Sequence, residues 1–172
     1  MDKRQKSWIE DIYRRRVQEV YRFCRSIVGR EGLAEDLTQE TFMRLIRSQP
    51  QFANPAHEQA WLFLTARRLC YDHFKQAESQ NQSLDADPQA WQTSSPAPYA
   101  HSEFADLLDL LTPEQRPVIY LYYAEGYKTE EIAQILGRKP ATIRQQLKRA
   151  RDRLAQQLGQ EVKGGIRREQ TS

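Results

Sequence analysis

No stretch of this chain approaches the ~20 consecutive apolar residues of a membrane span, and Met1 to Lys6 has no apolar core of a signal peptide. A cytoplasmic protein with no membrane insertion is expected. Cysteine is scarce: Cys24 and Cys70 have 45 residues between them, each lies inside an apolar helical pattern, and they are expected as reduced, buried thiols. Histidine is scarce too. Cys70 and His73 are three positions apart and would make half a zinc site, but no second half is visible and no metal is expected. His57 and His101 stand alone in polar surroundings. Gly-rich phosphate loops and nucleophile elbows are missing, so the chain has no constellation of an enzyme and calls for no cofactor. With only 7 glycines and 8 prolines among 172 residues, set in stretches rich in Leu, Arg, Gln, Glu and Ala, the expected class is all-α.

What is present falls into segments of different character. In the first, Ile9, Ile12, Tyr13, Val17, Val20, Tyr21, Cys24, Ile27 and Val28 recur at helical spacing and predict one helix ending at Gly29. A second helix is predicted from Gly32 to Arg47 on Leu33, Leu37, Phe42, Leu45 and Ile46. After a polar turn with Pro50, Asn54 and Pro55, a third is predicted from Glu58 to Lys75. Its stretch AWLFLTA is apolar nearly all round, the mark of a helix enclosed by others. These helices predict a small helical domain over residues 1–78. The segment from Gln76 to Glu103 then has four acidic residues, no basic ones and three prolines. Such a composition offsets little of its chain entropy by burial, so residues 79–103 are read as an acidic flexible linker. Trp91 and Tyr99 are its exceptions.

A second helical domain is predicted over 104–160, followed by a disordered tail, 161–172. Phe104, Leu107, Leu108, Leu110 and Leu111 predict a short helix, after which Thr112 and Gln115 read as a capping box around Pro113. The next helix carries Val118, Ile119, Leu121 and Tyr122 and stops at Gly126. Thr129 is read as the cap of its successor, whose core is Ile132, Ala133, Ile135 and Leu136, with Gly137 as a left-handed stop. Pro140 opens the last helix. There Ile143, Leu147, Ala150, Leu154 and Leu158 share one arc, and Ala141, Thr142, Gln145, Lys148 and Arg149 share the opposite one.

The chain places seven of its 26 basic residues between Arg138 and Arg153, opposed only by Asp152, although its net charge is +3. A charge run alone is usually a solvated face. Here it coincides with a cap, a turn glycine and small Ala133 at a close helix approach, which together describe a DNA-binding helix-turn-helix. Thr142, Arg144 and Gln145 would meet base edges, and Arg138, Lys139, Lys148 and Arg149 phosphates.

The order of segments resembles a bacterial RNA polymerase sigma factor of the extracytoplasmic-function (ECF) group of the sigma-70 family. GYKTEEIAQILGRKPATIRQQLKRARDRL is similar to the family's fourth region, which contacts the minus-35 promoter element; DLTQETFMRLIR resembles the clamp-docking helix of its second region; AWLFLTARRLCYDHFK is similar to the part that opens and reads the minus-10 element. Read alone, the acids Asp36 and Glu40 are complements to a helix dipole or partners of nearby arginines; the resemblance reverses this and implies that Asp36, Gln39, Glu40 and Phe42 meet the polymerase. It also implies that Arg67, Arg68, Tyr71, Asp72 and Lys75 hold the opened strand, with the loop from Ser48 to Glu58 walling a flipped base. Trp61 and Phe63 are read as core. The chain departs from its relatives at Arg68, often Asn there, and at Gln145 and Gln146, where smaller or basic residues are frequent. The implied partners are core RNA polymerase, at its clamp coiled coil and flap, promoter DNA, and an anti-sigma factor. Promoter elements two helical turns apart are separated by ~70 Å, which two small domains on a tether would reach. The rival reading is a helix-turn-helix regulator with an N-terminal ligand-sensing or dimerisation domain.

Overall fold

The computed structural model describes residues 1–81 and 103–162, and these are helical without any strand. The expected linker, apart from its ends, and the tail beyond 162 lie outside the described residues. Three long helices come first: α1 (Lys3–Val28), α2 (Glu31–Ser48) and α3 (Pro55–Asn81). They form a mutually packed lobe. Its core is built from Ile12, Val20, Phe23, Cys24, Ile27, Leu45, Leu62 and Ala66, all fully buried. Gly29 closes α1 at φ +70°, the left-handed conformation expected of it. The AWLFLTA stretch is enclosed as its composition demands, with Leu62 at 0% and Phe63 at 3% exposure.

Several local expectations shift. Phe23, which the apolar stripe of α1 does not include, is fully buried and meets the edge of Phe63 at 4.6 Å between ring centres. Tyr13, which the stripe does include, is 46% exposed and turns its ring edge to Phe42 at 4.9 Å. Helix α3 starts at Pro55 rather than Glu58, because the Asn54 side chain accepts the His57 N–H at 2.8 Å as a cap and Pro55 suits the first helical position. It also runs on to Asn81, past the last core residue of its apolar pattern.

The second lobe consists of α4 (Glu103–Asp109), α5 (Gln115–Ile119), α6 (Thr129–Leu136) and α7 (Pro140–Val162). The capping box is present: the Thr112 N–H donates to Gln115 Oε1 at 3.2 Å and the Gln115 N–H to Thr112 Oγ1 at 3.4 Å. After α5 the chain widens into a π-helical turn, Tyr120–Ala124, in which the Glu125 N–H reaches back five residues to the Tyr120 carbonyl. The extra residue per turn keeps Tyr120, Leu121 and the preceding Ile119 all on the buried side. Thr129 is not a cap. It is the first helical residue of α6, and Glu131 accepts the Lys128 N–H at 3.0 Å in its place.

Gly137 ends α6 at φ +63°, and a methyl group placed on it would lie 3.3 Å from Leu64 Cδ2. Gly137→Ala therefore combines left-handed backbone strain with a tight contact. It should lower stability by about 1–2 kcal/mol, read from the urea midpoint at unchanged m-value. On α7, Ile143, Leu147 and Ala150 are at 0%, 3% and 0% exposure as expected, but Leu158 is 40% exposed. The reason is length: at ~1.5 Å per residue α7 spans ~34 Å and α6 only ~12 Å, so the end of α7 runs past the helix it packs on.

Candidate nucleic-acid interface

The helix-turn-helix is formed by α6, the tight turn at Gly137–Lys139 and α7. Ile132, Ala133, Ile135 and Leu136 of α6 pack on Ile143, Leu147 and Ala150 of α7 in one continuous core. That contact fixes the rotation of α7. Lys139, Arg144, Gln145, Lys148 and Arg149 stand exposed on the outside, with Arg138 and Thr142 half-buried beside the turn. Arg144 makes a long 3.9 Å ion pair with Glu130 on α6, both side chains well exposed. All seven residues predicted for duplex contact therefore gather on one outward face. Further along, Arg151 lies over Tyr122 and Tyr123 and donates to the Tyr123 hydroxyl at 2.7 Å.

On α3 the five residues predicted for the opened strand divide into two stripes. Arg68, Asp72 and Lys75 are exposed, whereas Arg67 and Tyr71 are half-buried. The Arg67 guanidinium sits 4.8 Å above the Tyr71 ring, and the Tyr71 hydroxyl donates to the Pro113 carbonyl at 3.3 Å. Burial pushes the Tyr71 pKa above its ordinary value, and neighbouring Arg67 opposes the shift. Trp61 is half-buried rather than enclosed, with its ring 6.0 Å from Phe52 in the loop before α3.

On α2, Asp36 and Gln39 are exposed, while Glu40 accepts from Arg47 at 3.2 Å and lies 3.6 Å from Arg44. Phe42 is only 4% exposed. It lies on the floor of an apolar groove between α1 and α2, about 360 Å³ in volume, whose rim includes Tyr13, Gln39 and Met43. Of the three polar residues, Gln39 borders this open hydrophobic groove. Such a surface suits a partner protein.

Cys24 and Cys70 are both fully buried, as expected. A hydrogen bond between the two thiols, together with burial, drives the Cys70 pKa far up. Among the described residues, no three His, Cys, Asp or Glu side chains gather where they could hold a metal ion. No helix among them is long and apolar enough to cross a membrane.

Sequence reasoning missed a charged cluster inside the first lobe. Glu58, at the start of α3 and 6% exposed, accepts from Arg15 at 3.0 and 3.2 Å and from Arg16 at 2.9 Å. Arg16 also reaches Glu19 at 3.1 Å and the Pro55 carbonyl at 3.2 Å. The ion pair raises the Arg16 pKa despite the opposing effect of burial. The adjacent Arg15-Arg16 pair was the only signal, and nothing local points it at Glu58.

These faces define the chain as a two-lobed helical protein that carries a DNA-binding helix-turn-helix. A family model for Sigma-70 region 2 matches residues 12–80, and one for Sigma-70 region 4 matches residues 101–154. The ECF RNA polymerase sigma factor EcfG of Rhodopseudomonas palustris is 31% identical over 136 residues, covering 77% of this chain and 75% of that protein. The ECF sigma factor SigE of Mycolicibacterium smegmatis is 34% identical over 160 residues, 88% of this chain and 62% of that one. Among solved structures, the Bartonella quintana sigma factor RpoE, in complex with the anti-sigma factor NepR, is 27% identical with a TM-score of 0.69 over 87% of this chain and 96% of that chain. The chain belongs to the sigma-70 family, in its extracytoplasmic-function group, and is a transcription initiation factor that directs RNA polymerase to promoters. The reading as a ligand-sensing regulator is not favoured. Members of this family are non-enzymatic.

Proposed function

We propose a division of labour within this chain. The first lobe, residues 1–78, grips the polymerase clamp through Asp36, Gln39, Glu40 and Phe42. Its α3 face of Arg67, Arg68, Tyr71, Asp72 and Lys75 holds the opened minus-10 strand. The second lobe, 104–160, reads minus-35 duplex with α7, and residues 79–103 join the two lobes. The polymerase supplies the chemistry and this chain supplies recognition. The cytoplasm is where it works, and an anti-sigma factor of the kind bound to the Bartonella relative is its expected inhibitor.

The observation that carries this reading is the outward face of α7. Arg144, Gln145, Lys148 and Arg149 stand exposed there, with Lys139 in the turn before them, on a helix whose other side is sealed against α6 by Ile143, Leu147 and Ala150. Geometry of this kind admits the N-terminal half of α7 to a major groove. If five of the seven basic residues between Arg138 and Arg153 touch phosphate, log affinity for a promoter duplex should fall with log salt at a slope of roughly −4.5. Arg149→Ala should flatten that slope by about 0.9 and weaken all sequences alike. Gln145→Ala should instead relax discrimination at one base pair, by about 1–3 kcal/mol. Binding titrations on a randomised duplex library over a range of salt measure both. The decisive experiment mixes the protein with core polymerase and a mapped promoter library: new transcription starts are expected, and their absence would refute the proposal.

A further inference from the structure

The groove between α1 and α2 stays open in the folded chain. Ile9 and Phe42 form its buried floor, Ile46 is half-buried, and Tyr13 and Met43 are 46% and 44% exposed. Large apolar side chains left in water in one groove favour any partner that covers them. The charged residues of the rim indicate which partner. Glu10 and Arg14 stand one helical turn apart on α1, both exposed and both lining the groove. Neither is engaged by another side chain among the described residues. Their neighbours Arg15, Arg16 and Glu19 behave differently, being tied into the cluster around Glu58.

The order of these groups makes the groove self-complementary. Along α1 it reads acid, aromatic ring, base: Glu10, Tyr13, Arg14. A second α1 laid antiparallel presents base, ring and acid to it. A two-fold axis beside Tyr13 then sets Glu10 of each copy against Arg14 of the other, because an isologous contact makes every such pair twice. The four charges cancel, and Tyr13 of each copy faces the groove of the other. Residues four apart are separated by only ~6 Å along a helix, so both pairs and both rings fall within one short crossing. An unrelated helix would have to carry the reversed order independently, whereas a second copy has it by symmetry.

We infer that the chain forms a two-fold dimer through this groove, with α1 crossing α1 antiparallel at Tyr13. The contact is small, so its affinity is on the order of 10 µM, the weak end of specific interfaces. The dimer covers Gln39 and Phe42, which line the same groove. Its functional consequence, unlike the dimer itself, rests on the reading of α2 as the polymerase-docking helix: the paired form is closed to polymerase, and excess polymerase draws single chains out of it.

Sedimentation equilibrium of the full chain is the test. Single chains are expected at about 1 µM and dimers at about 100 µM, tenfold to either side of that affinity. Glu10→Arg or Arg14→Glu alone should weaken the dimer about tenfold, since each sets like charges together at both repeats. The double variant Glu10→Arg, Arg14→Glu exchanges the charges and should return the affinity to within about threefold of the parent. Both side chains are exposed, so helix content by far-UV circular dichroism should not change. Tyr13→Ala should weaken the dimer without rescue by the exchange. A chain still single at about 100 µM leaves the groove to another protein's helix and overturns the dimer. A dimer indifferent to both reversals, or single variants that the exchange does not rescue, overturns the antiparallel contact. A polymerase complex that holds two copies overturns the competition. Promoter-library starts measured at about 0.1 µM, where the chain is single, judge the initiation activity independently of all three.

Discussion

Glu58→Ala is expected to destabilise the first lobe by about 3 kcal/mol, at the low end of what removing one partner of a buried ion pair costs. Glu58 is 6% exposed, and its carboxylate is shared by Arg15 and Arg16. Without it, Arg16, with a side chain 14% exposed, keeps Glu19 and the Pro55 carbonyl but loses its closest acceptor. Arg15 is 51% exposed and turns to water at little cost, which is why the larger penalties of a wholly enclosed pair do not apply. Two further losses add to the effect. Glu58 lies in the first turn of α3, where a negative charge complements the helix dipole, and its bonds to α1 fix the angle at which α3 enters the bundle. A drop of about 6–12 °C in melting temperature should follow. Glu58→Gln keeps the shape and part of the hydrogen bonding, so it should lose less. Calorimetry on the full chain checks the pair, and a Glu58→Ala melting temperature within a degree of the parent would show the cluster to be ornamental.

That cluster also marks where the sequence stops being readable. The cap at Thr112, the left-handed glycines at 29 and 137 and the buried arc of α7 all depend on residues within four positions of one another. Such features can be seen in a linear chain because the physics that selects them is local. The pairing of Arg15 and Arg16 with Glu58 spans more than forty residues, and Arg116 meets Ile27 across 89. Nothing in the neighbourhood of either end specifies the other. The π-helical turn is a third case: its apolar residues Ile119, Tyr120 and Leu121 are consecutive, a pattern equally compatible with an ordinary helix wrapped on all sides. The site divides along the same line. All seven predicted duplex-contacting residues lie on one helix and its turn, and helical spacing alone put Thr142, Gln145, Lys148 and Arg149 on one face. The five on α3 split because Tyr71 reaches the Pro113 carbonyl of the distant lobe and Arg67 lies over the Tyr71 ring, while Arg68, Asp72 and Lys75 stay exposed.

The largest functional effect is expected from reversing charge on α2. Asp36→Lys with Glu40→Lys should reduce promoter-directed starts with core polymerase at least ~100-fold, the loss that ~3 kcal/mol of like-charge repulsion at a protein interface brings. The fold should tolerate both changes. Asp36 is exposed, and Glu40 makes only exposed pairs with Arg44 and Arg47, worth well under 1 kcal/mol together. Placing a lysine four positions before Arg44 adds a few tenths of a kcal/mol of helix-surface repulsion. The core beneath, Leu37, Thr41, Phe42 and Leu45, is untouched. Duplex binding by α7 should also survive, since its cations lie on the other lobe and the two added lysines, if anything, raise general affinity for DNA. The combination of outcomes carries the argument: a folded protein that still binds minus-35 duplex, with the same salt slope, yet no longer confers initiation. Loss of duplex binding in the same variant would mean that α2 acts through the fold rather than on the polymerase. Undiminished starts would remove Asp36 and Glu40 from the interface altogether and leave the apolar groove over Phe42 as the surface to test next.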